Sequence, residues 1–330
     1  MGGVFTQFFP PKPTFTERDV PDLSGKVYIV TGSNTGIGYG LAGLLYARNA
    51  SVYIAARSQE KANAAIEKLK AASRSSTGSL TYMHLDLSDL STIQASVNFF
   101  LARESKLHVL FNNAGVMNVA AGQEKAKTRQ GHEIHMGVNC LGPFLLTMLL
   151  TPVLSATAKT EPAGCSAVRV VWVSSTIDVA GKRDVGLELD NLDYEKRPVL
   201  AMNRYGYSKV GNYFQGVEYA RRVGRSAGVV SVAVNPGNLC SELYREHGTA
   251  FTLFTKLITY PPINGSYTLL YAGLSPDVTL EKSGNFIIPF GRIKAPRKDL
   301  EMAAKPESEG GNGTGPKFWE WCEAQVKPYL

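Results

Sequence analysis

The sequence predicts an α/β fold: one sheet of seven parallel strands, doubly wound by helices on both faces, in a single domain. Two patterns carry this expectation. From Lys26 onward, short β-branched runs alternate with amphipathic stretches of helical period, as a parallel sheet covered on both faces requires. A glycine-rich turn, "TGSNTGIG" (31–38), follows the first run directly and opens the first helical stretch.

Strands are expected at "KVYIV" (26–30), "SVYIAA" (51–56), "SLTYMHLD" (79–86), "HVLFNN" (108–113), "AVRVVWVS" (167–174), "VVSVAVN" (229–235) and "GNFIIP" (284–289). Helices are expected over 36–48, 59–72, 90–104, 129–157, 203–225 and 264–275. Residues 1–22 read as an extended arm and 23–305 as the domain, with a lid at about 238–263. The stretch "PESEGGNGTGP" (306–316) reads as a flexible loop before a closing amphipathic helix, "KFWEWCEAQVKPY".

Composition narrows the function. The apolar fraction of 44% across 330 residues supplies a sizeable core. The net charge of +7 is modest, and its basic residues lack the aromatic interleaving of a nucleic-acid surface, so the excess points to an anionic small molecule. Four cysteines, Cys140, Cys165, Cys240 and Cys322, stand far apart without a C-x-x-C pair, which argues against zinc or a disulfide framework and for a reducing, cytoplasmic setting. The longest apolar run, "FLLTMLLTPVL" (144–154), is too short to span a bilayer, so no stable membrane insertion is expected. The opening "MGGVFT" matches a loose myristoylation pattern through Gly2 and Thr6, while the ordinary reading of Phe5, Phe8 and Phe9 before "PPKP" is an arm laying its aromatics on the surface.

The glycine turn is a candidate dinucleotide site, because backbone N–H groups at the positive end of a helix can approach a pyrophosphate. Gly32, Ser33, Asn34, Thr35, Gly36, Ile37 and Gly38 form it. A cofactor without a 2′-phosphate is usually held by an acid about 20 residues further on, yet residues 39–59 contain no Asp or Glu, and the second strand ends in Ala56 and Arg57. An arginine suits a phosphate, so NADP(H) is expected over NAD. Asp86 has two open readings, acceptor for an adenine amino group or N-cap of the next helix, for which Asp89 is the better candidate. "NNAG" (112–115) ends the fourth strand, where ligands of open parallel sheets bind. Its asparagines either bridge strand ends or touch the cofactor.

In "RYGYSK" (204–209), Tyr205 and Lys209 stand at i and i+4 on one helix face, whereas Tyr207 points away and is assigned to packing. A lysine ammonium about 4 Å from a phenol, at an effective dielectric of about 20, favours phenolate by about 4 kcal/mol, bringing a pKa of about 10 close to neutrality. "HEIH" (132–135) holds a histidine pair, His132 and His135, but no further ligands stand nearby and no metal is expected.

Together, "TGSNTGIG", "NNAG", "VNCLG" around Asn139, "VSS" (173–175), "YGYSK" and "NPG" (235–237) resemble the short-chain dehydrogenase/reductase family, with its Rossmann-type fold, from about Leu23 to the C-terminus. "LSGKVYIVTGSNTGIG", "HEIHMGVNCLGPFLLT" and "NLDYEKRPVLAMNRYGYSK" are similar to the fungal branch related to retinol dehydrogenases and the WW-domain oxidoreductase, without a WW domain. The resemblance implies Tyr205 as general acid/base, Lys209 as its helper and ribose anchor, Ser175 as the hydroxyl polarising the carbonyl, and Asn139 as the residue holding a relay water. Of the two serines, the alignment selects Ser175 over Ser174. Leu87, Asn113, Ala114 and Gly115, with Pro236, Gly237, Leu239 and Ser241 after the sixth strand, are implied to contact the cofactor. Two departures are expected to border the substrate cleft: the 29 residues between Ser175 and Tyr205, and the long basic loop 118–132. The expected function is NADPH-dependent reduction of a hydrophobic ketone or aldehyde, such as a polyketide-like or isoprenoid carbonyl, or the reverse oxidation of the alcohol. The alternative is a non-redox protein that keeps the fold for regulation or for a rearrangement. A homodimer or homotetramer is expected if the helices near 129–157 and 203–225 pack between subunits.

Overall fold

The computed structural model describes residues 2–117, 126–162, 167–239 and 259–330. Its sheet runs β3-β2-β1-β4-β5-β6-β7-β8, with β1 Val27–Thr31, β2 Ser51–Ala56, β3 Ser79–His84, β4 Val109–Asn112, β5 Arg169–Val173, β6 Val230–Val234, β7 Phe286–Ile288 and β8 Arg292–Ile293. The first seven strands pair in parallel, as expected. An eighth strand, two residues long, returns antiparallel along β7, pairing Ile287 with Ile293. A two-residue strand leaves no periodicity to read.

Strands β1, β5 and β6 are buried on both faces, which is why they read as near-continuous apolar runs, while the edge strand β3 is largely half-buried or exposed. Helices α2 (Gly36–Tyr46), α3 (Gln59–Ala72) and α7 (Pro262–Leu274) cover one face through Leu41, Leu45, Ile66 and Leu269. On the other, α4 (Leu90–Leu101), α5 (Gly142–Thr160) and α6 (Ala201–Tyr219) pack through Phe100, Phe144, Leu150 and Phe214. A π-helical turn, Met136–Leu141, leads directly into α5. The joined run Met136–Thr160 is 25 residues long, so it exceeds the apolar run read from the sequence and has the length of a membrane span; its most apolar 18-residue window has a mean hydropathy of 1.6, and 78% of that window is buried within the protein.

Both termini depart from expectation. Residues 2–8 form a helix, α1 (Gly2–Phe8), in place of an extended arm, ended by Pro10 and Pro11. Residues 306–316 are a packed turn: Gly310 and Gly313 adopt left-handed φ of 77° and 76°, and the Asn312 side chain donates to the Asp184 carbonyl at 2.6 Å. A short helix α8 (Lys298–Ala304) precedes this turn and α9 (Thr314–Val326) follows it. Helix α9 lies on α6, where Phe318 fits against Gly211, and Trp319 meets Phe144 edge-on at 4.7 Å between ring centroids. The surface of α6 that the sequence offered for subunit packing is therefore partly covered by the chain's own C-terminal helix.

Trp319 is 1% exposed, and its indole N–H has no hydrogen-bond partner among the described residues. Trp319→Ala should lower unfolding free energy by about 3–5 kcal/mol in urea titration, whereas Trp319→Phe should cost less than about 1.5 kcal/mol because no polar bond is lost. Equal losses would contradict the packing role.

Candidate active site

Strand order reverses between β1 and β4, and the carboxyl ends of the strands there open into two adjoining cavities. The first, about 870 Å³, lies over β1, β2 and β3. The second, about 670 Å³, lies over β5 and β6 and against α6. Ile37, Asn113, Gly115 and Val116 line both.

The glycine turn forms the floor of the first cavity. Gly32 and Gly36 sit at φ of 66° and 61°, and a Cβ on Gly36 would point into open space. Thr35 caps α2 without a side-chain hydrogen bond, so the first-turn N–H groups are left for an anion. Gly32, Asn34, Thr35, Gly36 and Ile37 line this cavity. Ser33 and Gly38, predicted as cofactor contacts, are structural instead. The Ser33 hydroxyl is buried and donates to the Val30 carbonyl at 2.7 Å, while a Cβ on Gly38 would stand 2.6 Å from Asn113 Nδ2, so its glycine permits close helix–strand packing.

Arg57 is exposed at the cavity rim, and among the described residues its guanidinium has no hydrogen bond or ion pair. Asp86 and Leu87 line the cavity. The two readings of Asp86 are now separable: Asp89 caps α4, accepting from Ser91 N at 3.1 Å, while Asp86 closes its own turn onto Ser88 at 2.9 Å. Lys127 and Arg129, which sequence reasoning did not single out, add two cations to the same rim. Their signal was the basic stretch "KAKTR" itself; residues 118–125 of that loop lie outside the described residues.

The NNAG segment bridges strand ends and also lines the first cavity. Asn113 Nδ2 donates to the Thr31 carbonyl at 2.7 Å, and Thr31 Oγ1 accepts from the backbone of Asn113 and Ala114 at 2.9 Å each, binding the ends of β1 and β4 together. Asn112 turns away to Thr147 at 2.8 Å. Asn113, Ala114 and Gly115 still face the first cavity.

Ser175, Tyr205 and Lys209 converge on the second cavity, with Pro236, Gly237 and Leu239. The choice between serines follows strand alternation. Ser174 is 2% exposed and donates to the Lys209 carbonyl at 2.6 Å, whereas the Ser175 hydroxyl has no partner among the described residues and faces the cavity. Tyr207, assigned to packing, both contacts the Tyr194 ring at 6.3 Å and lines this cavity. Ser241 and most of the expected lid lie outside the described residues; on either side of them, Leu239 and Tyr260 pair as a parallel bridge.

Lys209 is 4% exposed with its nitrogen 5.8 Å from the centre of the Tyr205 ring. It donates to the Val173 carbonyl at 2.8 Å and to Asn212 Oδ1 at 3.3 Å. Burial pushes this ammonium down to about 8. Its room depends on Gly115, where a Cβ would stand 3.2 Å from Lys209 Nζ. Asn139 does not reach either cavity. Its side chain exchanges hydrogen bonds with the Val116 backbone at 2.8 and 2.9 Å and donates to Ser208 at 2.9 Å. Its carbonyl, turned out by the π turn, accepts from Asn212 Nδ2 at 2.6 Å. Sequence reasoning missed Asn212, although Tyr205, Lys209 and Asn212 share a face at i, i+4 and i+7. Deeper in, Glu133 caps the π turn and meets His135 at 2.7 Å, and the His135 ring lies edge-on to Tyr205 at 6.5 Å.

The family model for short chain dehydrogenases matches residues 26–183. A short-chain dehydrogenase/reductase of Phomopsis amygdali is 51% identical over 99% of this chain and 97% of its own length. One of Neocamarosporium betae is 48% identical over 100% of this chain and 94% of its own. The chain belongs to the short-chain dehydrogenase/reductase family. Members are oxidoreductases that bind a nicotinamide dinucleotide, and the open glycine cradle with its uncapped helix start fits that group. An uncharacterised protein of Mycobacterium paratuberculosis shares the fold with a TM-score of 0.67 and 27% identity over 95% of this chain and 97% of its own. A 3-ketoacyl-(acyl-carrier-protein) reductase of Brucella melitensis, solved with NADH, has a TM-score of 0.59 at 20% identity over 82% of this chain and 98% of its own.

The buried lysine makes a stability prediction. Its pKa is about 8 when folded against 10.5 as the ordinary value, so between those pH values the unfolded chain holds a proton that the folded chain has released. Below pH 8 the buried ammonium costs about 3 kcal/mol, and the cost is relieved as pH rises toward 10.5. Lys209→Met removes the charge at every pH. The Tm of the variant relative to wild type should therefore be greatest near pH 7 and fall as pH approaches 10; a difference independent of pH would exclude the assignment.

Proposed function

We propose that this oxidoreductase is an NADPH-dependent carbonyl reductase for hydrophobic small molecules, with Tyr205 as proton donor. One observation carries the reading: a Ser175 hydroxyl without a partner among the described residues, Tyr205 and the buried Lys209 meet at one wall of a cavity that joins the dinucleotide cavity. A bound nicotinamide supplies the hydride. The Ser175 hydroxyl donates a hydrogen bond to the carbonyl oxygen and stabilises the negative charge that develops there. Tyr205 transfers its phenolic proton to that oxygen, completing the alcohol, and the field of Lys209 holds down the cost of the phenolate left behind. Asn212 and the Asn139 carbonyl keep Lys209 in place.

Phe8, Met117, Val179, Met202 and Leu239 in the lining support a hydrophobic substrate. Cofactor choice rests on Arg57, a guanidinium without a partner among the described residues at the rim beyond β2, with no acid in residues 39–59 to repel a 2′-phosphate.

Tyr205→Phe should lower kcat for ketone reduction by about 10²–10⁴-fold with NADPH affinity within about threefold, read from absorbance at the nicotinamide band and from NADPH fluorescence titration. Undiminished turnover would sink the reading. Arg57→Ala should raise KM for NADPH by about 10-fold or more and leave that for NADH unchanged. Equal use of the two cofactors by the wild-type chain would refute the NADPH preference.

A further inference from the structure

We propose that the N-terminal helix is a fixed wall of the substrate cavity and that Phe8 selects for the length of the apolar group attached to the substrate carbonyl; this rests on reading the second cavity as the substrate site. Seven residues are too few to hold a helix in water, so the position of α1 must come from its contacts. Three are polar and reach separate parts of the chain. Gln7 is 2% exposed; its Oε1 accepts from Asn235 Nδ2 at 2.9 Å and its amide nitrogen donates to the Asp178 carboxylate. The Thr6 carbonyl accepts from the Arg292 guanidinium on β8 at 2.6 Å.

These anchors lead straight to the reacting groups. Asp178 lies three residues beyond Ser175, and Asp178 Oδ1 also accepts from the backbone of Arg297 at 2.5 Å. Asn235 begins the turn whose Pro236 and Gly237 line the cavity, and its Oδ1 accepts from Gly237 N at 3.0 Å. A terminal helix serving only stability would bury an apolar side chain in the core. Among the described side chains of α1 the buried one is a glutamine with both ends bonded, while the half-buried Phe8 faces the cavity shared by Tyr205, Val179 and Met202. Its neighbours Phe5 and Phe9 point outward, 64% and 48% exposed, with their rings 5.0 Å apart.

Binding can be read without turnover by loading the full chain with NADP⁺, which cannot reduce a ketone, and titrating 2-alkanones from hexan-2-one to dodecan-2-one by calorimetry. Phe8→Ala should raise the Kd of dodecan-2-one about tenfold and that of hexan-2-one less than about twofold. Gln7→Glu, which sets a second carboxylate against Asp178 and releases the wall, should give the same pattern, while Phe8→Leu should fall between Phe8→Ala and wild type. Equal changes across the series, no change in Phe8→Ala, or no saturable binding to the wild-type chain would overturn the proposal. Chain-length selection by Phe8 without any reduction of the same ketones by NADPH would instead overturn the reductase reading and leave this one standing.

Discussion

A buried ammonium with no carboxylate partner among the described residues is the constraint around which the site is arranged. Lys209 is satisfied by a strand carbonyl, Val173, and an amide oxygen, Asn212. A carboxylate there would stabilise the charge and quench its field; neutral acceptors hold the cation while leaving that field to act on the Tyr205 phenol. The surroundings follow from this choice. Gly115 lacks a side chain because Lys209 needs the space, and the π turn at Met136–Leu141 exposes carbonyls that bind the amides beside the lysine. Asn212 takes the Asn139 carbonyl, and Gln215 takes that of Cys140 at 3.1 Å. In a regular α-helix the Cys140 carbonyl would be used internally, whereas the Asn139 carbonyl would stay open because Pro143, four residues on, has no N–H to give it. The irregular turn and the run Lys209, Asn212, Gln215 along α6 are one unit, each satisfying polar groups that the other leaves open.

The same economy governs the junction between the two cavities. Thr31 ends β1 and NNAG ends β4, the pair of parallel strands between which the strand order reverses. Their hydrogen bonds close the strand ends through two short side chains, Thr31 and Asn113, so Asn113 and Gly115 can border both cavities. A bulkier closure would wall one from the other. Hydride transfer needs the two ligands in contact, and the sheet topology provides that contact before any side chain is chosen.

What was legible in the sequence was local in the chain. The strand runs, the glycine turn and the i, i+4 pairing of Tyr205 with Lys209 each lie within a few residues, and each period or spacing maps directly onto geometry. The eighth strand escaped because two residues carry no period. The N-terminal helix and the glycine-rich turn at 306–316 escaped because their order is imposed from elsewhere: α1 by Asn235, Asp178 and Arg292, the turn by Met302 and Asp184. Ser33 and Gly38 were misassigned for a related reason. Their spacing marks the phosphate turn, but spacing does not tell which residues of a turn face the ligand and which face the sheet.

The two cavities differ in this respect. The dinucleotide cavity is built mainly from four consecutive strand ends, so its residues appear in order along the first 138 positions. The second gathers Phe8, Met117, Val179, Met202 and Leu239 from segments scattered across more than two hundred residues. Those segments are joined by single polar side chains: Gln7 links the N-terminus to both β5 and β6 exits, and Arg297 ties the Ser175 loop to the C-terminal region through the Asp178 and Ala180 carbonyls at 3.0 and 3.3 Å. Reaction chemistry is thus encoded in short motifs, whereas the shape that selects a substrate is encoded in long-range hydrogen bonds. A substitution at Gln7 or Asp178 can move the cavity wall while every family motif stays intact, which is why family membership fixes the reaction type and leaves the substrate to the tertiary contacts.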